Sequence, residues 1–184
     1  MEILQAGMKD FNGVMRLLRA NHADTLSEAE KADGFVTTNF TPEQMERLIT
    51  KENGVTIARE DETVLAFAMA APWEYWAEWP LFTHMIEKLP GFTFAGQKLS
   101  TKNSYQYGPM CVEKSLRGTG LFECVFNASL ASMENRFPIM ATFVNQVNAR
   151  SYAVHSRKAK MKTAGTFDFN GRQYYLMACL TRRS

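Results

Sequence analysis

The fold is decided by residues 105–134, which read YQYGPMCVEKSLRGTGLFECVFNASLASME. The β-prone residues 105–112 predict a strand that Gly108 and Pro109 interrupt in its middle. After the turn residues 117–120, apolar side chains recur with helical spacing at Phe122, Val125, Phe126, Leu130 and Met133. The stretch therefore predicts a strand, a glycine turn and a helix in direct succession.

The two glycines of this turn, Gly118 and Gly120, stand immediately before the predicted helix. The first turn of a helix leaves backbone N–H groups without intrahelical partners, and the helix dipole places partial positive charge there. Glycine also lets the backbone approach an anion closely. The pattern predicts a diphosphate cradle with Arg117 beside it, and the alternative is a turn that uses glycine for its geometry alone.

Val112 followed by Arg117-Gly118-Thr119-Gly120-Leu121-Phe122 and an amphipathic helix resembles the acyl-CoA-binding signature of the GNAT superfamily of N-acetyltransferases. That signature is Arg/Gln-x-x-Gly-x-Gly/Ala, and Phe122 departs from it because a small residue is usual at the last position. The resemblance implies that residues 117–122 bind coenzyme A. It also implies that the irregular strand at Met110-Cys111-Val112 offers the Met110 and Val112 N–H groups to the pantetheine and the thioester carbonyl.

A second segment, Asn148 to His155, places Asn148, Ser151, Tyr152 and His155 on one helical face. It resembles the GNAT motif Asn-x-x-Ser/Ala followed by tyrosine, with His155 in the tyrosine position. The resemblance implies that Asn148 and Ser151 contact the cofactor and that His155 is the general acid, with Tyr152 as the substitute donor. The alternative for His155 is a surface or satisfied core histidine.

The residue that deprotonates the acceptor amine is left open by the sequence. We interpret Cys111 as a small buried residue, because no histidine or aspartate is patterned beside it and the family transfers the acyl group directly. Direct transfer requires a neutral amine, so a base or a water relay must accept a proton. The candidates for this base are Tyr105, Tyr107, Glu74, Glu78 and His84.

Length, composition and cysteine content restrict the domain number, the binding partners and the location of the protein. With 184 residues, 46% of them hydrophobic, the chain is long enough for one compact domain, predicted to span residues 1–184. A net charge of +2 does not indicate a surface that binds nucleic acid or a membrane. The three cysteines, without a CxxC pair, predict neither disulfides nor a metal site. The N-terminus lacks a signal pattern, which favours a cytoplasmic location.

The remaining elements predict the architecture. Five elements are predicted before residues 105–134: a first strand ending at Gly7, a helix capped by Asp10, a short helix after Ser27, a helix at Pro42–Thr50 and a hairpin at 54–70. Residues 72–100 form an aromatic-rich insertion with a helix from Pro80 to Leu89, serving as a packing element, an acceptor-pocket wall or a homodimer contact. A strand at 137–144, the Asn148 helix and an Asn170-Gly171 hairpin follow, and residues 181–184 are predicted to fray.

This element order resembles that of the GNAT fold, which predicts the mixed α/β (α+β) class. The expected architecture is a central, mixed but mostly antiparallel sheet flanked by helices. The resemblance implies an N-acetyltransferase that moves an acetyl group from acetyl-CoA directly to a primary amine of a small molecule or peptide. The alternative is a catalytically silent acyl-CoA-binding or regulatory module, which the Phe122 and His155 departures allow.

Overall fold

In the computed structural model, residues 1–182 are described, and they form nine strands and seven α-helices. The strands are β1 Glu2–Gln5, β2 Val55–Glu60, β3 Thr63–Ala71, β4 Thr93–Phe94, β5 Gln97–Lys98, β6 Ser104–Val112, β7 Ile139–Asn145, β8 Lys162–Phe169 and β9 Arg172–Leu180. The helices are α1 Phe11–Ala20, α2 Glu28–Lys31, α3 Pro42–Thr50, α4 Trp73–Trp76, α5 Pro80–Lys88, α6 Leu121–Met133 and α7 Ala149–Arg157.

Seven of the strands form one sheet in the order β1-β2-β3-β6-β7-β9-β8. Strands β6 and β7 are parallel, as expected for two strands joined by a helical crossover, and the β1–β2, β2–β3, β7–β9 and β8–β9 pairs are antiparallel. The predicted class, a mixed but mostly antiparallel sheet with helices, is confirmed.

The chain divides into two compact units. The first consists of Met1–Ala70 with Gly108–Ser129, and the second of Ala71–Tyr107 with the chain from Leu130 onward. Strand β6 and helix α6 each contribute residues to both units, so neither unit is a contiguous piece of sequence.

Helices of the first unit begin where the sequence predicts. Thr41 accepts a hydrogen bond from the Gln44 N–H and Pro42 occupies the first turn of α3. Asp10 precedes α1 as predicted, but its side chain does not cap that helix. Its carboxylate instead accepts the Gly7 N–H at 3.0 Å and an Arg59 N–H at 3.0 Å, because a cation on β2 is the stronger partner.

The aromatic insertion belongs to the second unit, and helix α5 confirms its predicted helix. The sequence did not predict the short helix α4 or the β4–β5 hairpin. Trp73 and Trp76 of α4 have no exposed surface, and their indole N–H groups donate to the Ser104 hydroxyl at 3.0 Å and the Ala71 carbonyl at 3.3 Å. These two indoles are therefore core residues of the second unit.

The last strands follow the predicted hairpin. Asn170 and Gly171 have φ values of 48° and 72°, as a type I′ turn requires. The predicted fraying of residues 181–184 is wrong at Thr181, which is buried and whose N–H donates to the Pro138 carbonyl at 2.8 Å. Arg183 and Ser184 lie outside the described residues.

Candidate active site

The glycine turn of the first unit presents backbone donors at the N-terminus of α6, a helix of 13 residues. The Gly120 carbonyl accepts the Cys124 N–H at 3.2 Å, which starts the helical pattern. Within residues 1–182, the N–H groups of Gly118, Gly120 and Leu121 have no hydrogen-bond acceptor. Three unpartnered donors at the positive end of a helix form a ready binding site for an anion.

The backbone conformation of this turn depends on its glycines. Gly118 has a φ of 86° and Gly120 a φ of 90°, a region that other L-residues rarely adopt. A Cβ built on either glycine would meet no atom within 4 Å. The space beside both peptide groups is therefore open, so a ligand can reach the backbone directly.

The Arg117 side chain is engaged by protein oxygens. Its Nη2 donates to the Asn21 Oδ1 at 2.7 Å and its Nη1 to the Asp33 carbonyl at 3.2 Å. Its Nε donates to the Val112 carbonyl at 3.3 Å. The guanidinium thus ties the glycine turn to the residues that follow α1 and α2, which fixes the position of the backbone donors.

Other side chains of the turn also serve its geometry. The Thr119 hydroxyl donates to the Leu116 carbonyl at 2.7 Å, and Leu121 is buried. Phe122, where the resemblance implies a small residue, is half-buried and stacks on Phe126 one turn later, with the ring centroids 6.0 Å apart. The cradle therefore consists of main-chain groups rather than side chains.

Strand β6 stops pairing with β7 near the middle of the sheet. Their register runs only from Ser104↔Ile139 to Gln106↔Ala141. Beyond it, Gly108 has a φ of 100° and the Gly108–Pro109 peptide bond is cis.

The orientation of the next N–H groups follows from alternation along the strand. The Glu113 N–H donates to the Leu65 carbonyl of β3 at 2.8 Å. Because successive N–H groups of a strand point to opposite edges, those of Met110 and Val112 point away from β3. These are the two donors that the resemblance implies.

Cys111 lies between these two donors and is buried. Burial raises the pKa of its thiol to about 12, although the positive charge of Arg117 acts in the opposite direction. A thiol with this pKa stays protonated at neutral pH and is a poor nucleophile.

Helix α7 of the second unit carries the other predicted site residues. The Asn148 side chain accepts the Ser151 N–H at 3.2 Å and so caps the helix. The Nδ1 of His155 lies 2.8 Å from the Ser151 carbonyl and 3.3 Å from the Ser151 hydroxyl. Ser151 and His155 are therefore brought together as predicted.

Tyr107 of β6 faces His155, with ring centroids 5.7 Å apart and the rings nearly perpendicular. The Tyr107 side chain has no exposed surface. Burial lowers the pKa of His155, and the hydrogen bond to the Ser151 carbonyl opposes this effect in part. Burial thus favours the neutral imidazole over the imidazolium ion.

Tyr152 contacts residues of β8 and β9. Its hydroxyl is 3.2 Å from the Thr163 hydroxyl of β8, and its ring centroid is 4.4 Å from that of Tyr175 on β9. The spacing predicted that Tyr152 and His155 share a helical face, but the two side chains have different neighbours.

The candidate bases are distributed over the second unit. Glu74 and Glu78 are exposed, while the His84 ring lies 5.2 Å from that of Phe169 and the Tyr105 ring 5.8 Å from that of Phe137. Gln106 of β6 is not among the residues predicted from the sequence; its Oε1 is buried and accepts no hydrogen bond from the residues described. The available signal was an amide side chain between Tyr105 and Tyr107 in a strand predicted to be buried.

Residues 1–182 contain neither a group of metal-ligating side chains nor a helix suited to span a membrane. No three His, Cys, Asp or Glu side chains there are grouped so that they could hold a metal ion. None of the helices in that range has both the length and the apolar character that a membrane span requires.

Solved structures with the same architecture are numerous. The ribosomal-protein-alanine N-acetyltransferase of Brucella melitensis superimposes with a TM-score of 0.63 at 16% identity, covering 98% of this chain and 99% of that one. A GNAT-family acetyltransferase of Streptococcus agalactiae gives a TM-score of 0.67 at 10% identity, covering 99% and 96%. The chain has the GNAT fold.

A third structure with the GNAT fold contains its cofactor. YncA of Salmonella typhimurium, solved with acetyl-CoA, matches with a TM-score of 0.63 at 12% identity, covering 100% of this chain and 95% of that one. No family model and no curated protein matches this sequence. At these identities the likeness establishes the fold alone.

Proposed function

We propose that this protein is a GNAT-superfamily N-acetyltransferase that moves an acetyl group from acetyl-CoA directly to a primary amine of a small molecule or peptide. The observation that carries this proposal is the set of unpartnered N–H groups at Gly118, Gly120 and Leu121. They lie at the N-terminus of a long helix, beside glycines that leave the backbone open. The GNAT fold of the chain supports the same conclusion.

The residues present fit the pyrophosphate of coenzyme A. A doubly charged anion needs donors that are already oriented, and the cradle supplies three without any side-chain movement. The Arg117 side chain holds the glycine turn in place through its hydrogen bonds to the Asn21 Oδ1 and the Asp33 carbonyl. We propose that the cofactor is contacted by the main chain of Arg117, Gly118, Thr119, Gly120, Leu121 and Phe122. We propose that Asn148 and Ser151 of α7 also contact it.

Acetyl-CoA supplies the acetyl group as a thioester. The N–H groups of Met110 and Val112, flanking Cys111 on β6, are proposed to stabilise negative charge on the carbonyl oxygen. One preorganised donor of this kind contributes about 3 kcal/mol to transition-state stabilisation. The positive φ of Gly108 lies immediately before these donors, beyond the last pairing of β6 with β7 among the described residues, at Gln106.

Proton transfer is proposed to involve His155, with Tyr107 beside it and Tyr152 as a substitute. A primary amine is mostly an ammonium ion at neutral pH, so it must lose a proton before or during attack. His155 is the residue of this group whose ordinary pKa lies near neutrality.

The wider assignments are also proposals. We propose that residues 1–184 act as one domain in the cytoplasm, with acetyl-CoA and an amine acceptor as partners and without nucleic acid, membrane or metal. A homodimer contact through the aromatic insertion is tested by analytical ultracentrifugation, where a monomer at micromolar concentration would exclude it.

The proposal is tested by following thiol release from acetyl-CoA with a panel of amines, and by measuring coenzyme A affinity by calorimetry. Gly120→Glu is expected to abolish binding through blocked approach and charge repulsion. Gly171→Glu is the matched control, because Gly171 also has a positive φ and open surroundings but lies in the β8–β9 turn. Equal affinities of the two variants would refute the cradle.

A second outcome identifies the alternative function. Tight coenzyme A binding without amine-dependent thiol release would show a silent acyl-CoA-binding module instead of an enzyme. The departure at His155 is the observation that favours this alternative, since the resemblance implies a tyrosine there.

A further inference from the structure

We propose that the loop from His22 to Val36, here called the 22–36 loop, is coupled to the glycine cradle through Arg117, so that coenzyme A bound at the cradle restrains this loop. The loop and the cradle both belong to the first unit. The inference rests on the proposed binding of coenzyme A and adds a conformational response to it. It follows from the contacts of the loop and from the oxygens that the Arg117 guanidinium binds.

The ends of the 22–36 loop are held together by main-chain hydrogen bonds. The Val36 N–H donates to the Asn21 carbonyl at 2.9 Å, and the Ala23 N–H donates to the Val36 carbonyl at 2.8 Å. His22 and Val36 also form an isolated parallel bridge. A surface segment whose ends meet in this way is an Ω-loop, which packs mainly on its own side chains.

Between its ends, the loop contributes little to the core of the first unit. Every side chain from Ala23 to Phe35 is half-buried or exposed, whereas Val36 is buried. Helix α2 spans only four residues of the loop and is capped by Ser27, which lies in the loop itself. Segments with few buried apolar contacts open at a low free-energy cost, so a single strong polar contact changes how often such a loop opens.

Arg117 makes this contact at both sides of the loop. Its Nη2 donates to the Asn21 Oδ1 at 2.7 Å, at the base of the loop, and its Nη1 donates to the Asp33 carbonyl at 3.2 Å, near the other end. Asn21 is buried and is itself fixed to α1, because its Nδ2 donates to the Leu17 carbonyl at 2.8 Å. The planar guanidinium therefore links both oxygens to the main chain of Arg117, which is followed directly by the cradle residue Gly118.

A second link between the loop and the turn is electrostatic. Lys114 lies in the short 3-10 turn that ends directly before Arg117. The hydrogen bonds from Ser27 lower the pKa of the Glu30 carboxyl most, and the positive charge of Lys114 lowers it further. Lys114 beside the cradle and Glu30 in the loop thus attract each other. Both side chains are exposed, so this link is weaker than that of Arg117.

Coupling between the cradle and the loop acts in both directions. A bound diphosphate restrains the main chain that carries the guanidinium, and an attached loop holds the cradle in the conformation that the anion needs. By linkage, the factor by which the attached loop strengthens coenzyme A binding equals the factor by which coenzyme A suppresses loop opening. We expect this factor to be at most about fivefold, the limit set for the Kd of Arg117→Ala.

The first test measures amide hydrogen exchange in the protein without ligand. Arg117→Ala is expected to speed exchange of residues 23–36 more than exchange of strands β2 and β3, which report on the first unit as a whole. Arg16→Ala is the matched control, because Arg16 of the same unit donates to the Val64 carbonyl at 2.8 Å and not to the loop. Unchanged exchange of the loop in Arg117→Ala would overturn the inference, whether or not coenzyme A binds.

The second test repeats the exchange measurement with saturating coenzyme A, after calorimetry has given the affinity. In the unmodified protein and in Arg16→Ala, exchange of residues 23–36 should slow by about two- to fivefold. This protection should be lost in Arg117→Ala. Arg117→Lys keeps the charge and the fold but lacks the planar fork, so it should lose most of the protection as well. Pantetheine, which has no diphosphate, should protect none of these proteins.

The outcomes separate this inference from the proposed function. Coenzyme A that binds without slowing loop exchange would overturn the inference. Protection that persists in both Arg117 variants would show that the ligand contacts the loop directly, and this would overturn it too. Absence of coenzyme A binding in calorimetry would refute the proposed function, while exchange in the protein without ligand would still decide whether Arg117 holds the loop.

Discussion

Replacing Arg117 by alanine is expected to destabilise the first unit rather than to remove a ligand contact. The change removes three hydrogen bonds from a charged donor, to the Asn21 Oδ1, the Asp33 carbonyl and the Val112 carbonyl. It also leaves the Oδ1 of the buried Asn21 without this partner. Hydrogen bonds to charged groups contribute about 1.5–3 kcal/mol each but are not additive, so we expect a loss of about 2–4 kcal/mol of unfolding free energy.

The assay must report on the first unit. All three tryptophans lie in the second unit, so urea denaturation followed by circular dichroism, together with hydrogen exchange of residues 1–70, is preferable to tryptophan fluorescence. Asn21→Ala and the double variant complete a mutant cycle, in which we expect a coupling energy of about 1–2 kcal/mol. Arg117→Lys keeps the charge and is expected to recover only part of the stability.

The coenzyme A affinity of Arg117→Ala shows whether Arg117 supports the glycine turn or contacts the ligand directly. If Arg117 acts through the protein alone, Arg117→Ala should raise the Kd by at most about fivefold under conditions where the variant is folded, because the donors of the turn are then held less firmly. Loss of a direct charged hydrogen bond to the ligand would raise the Kd by about ten- to a hundredfold. A rise of this size with unchanged stability would refute the reasoning.

Three further predictions concern single groups. The unfolding free energy is expected to rise with pH between the lowered pKa of His155 and its ordinary value of 6.5, because the unfolded chain binds this proton first. For one proton, the unfolding free energy cannot change by more than about 1.4 kcal/mol per pH unit. Urea midpoints measured across this pH range should rise in the unmodified protein and rise less in His155→Gln. At pH 8 a thiol reagent should modify the exposed Cys124 before Cys111, whose pKa is about 12, as peptide mass spectrometry can show. Ser104→Ala is expected to cost about 1–3 kcal/mol in urea denaturation, because the buried Trp73 N–H loses its acceptor.

Each of these predictions has a contrary outcome. The pKa of His155 would be raised, not lowered, if the unfolding free energy fell as the pH rises from 5 to 6.5 and this fall were absent in His155→Gln. Early alkylation of Cys111 would contradict its burial, and unchanged stability of Ser104→Ala would show that the indole finds another partner.

Sequence reasoning recovered the elements whose signals are local. The cap at Thr41, the Asn170-Gly171 turn and the helix after Gly120 each depend on a few neighbouring residues, and all three are confirmed. Asp10 was placed correctly but given the wrong contact, because its partner Arg59 is 49 residues away. Thr181 was also misjudged, since its burial depends on the Pro138 carbonyl.

The candidate site was predictable in part for the same reason. The glycine spacing and the Asn148 cap are local patterns, and the structure places the N–H groups and α7 where these patterns require. The direction of the Arg117 guanidinium depends on Asn21 and Asp33, which no spacing rule connects to it. The contact of the His155 Nδ1 likewise involves a main-chain oxygen, that of Ser151, which the identities of the residues do not show.

The shared use of β6 and α6 by both units has a consequence for synthesis on the ribosome. The first unit lacks residues 108–129 when Ala70 is made, so its N-terminal segment waits for about 60 more residues, or roughly 3–12 s at common translation rates. Until residues 104–112 have been made, the edge of β3 has no β6 to pair with. Nascent chains stalled before Ser104 are therefore expected to expose this edge and to need chaperone protection from aggregation.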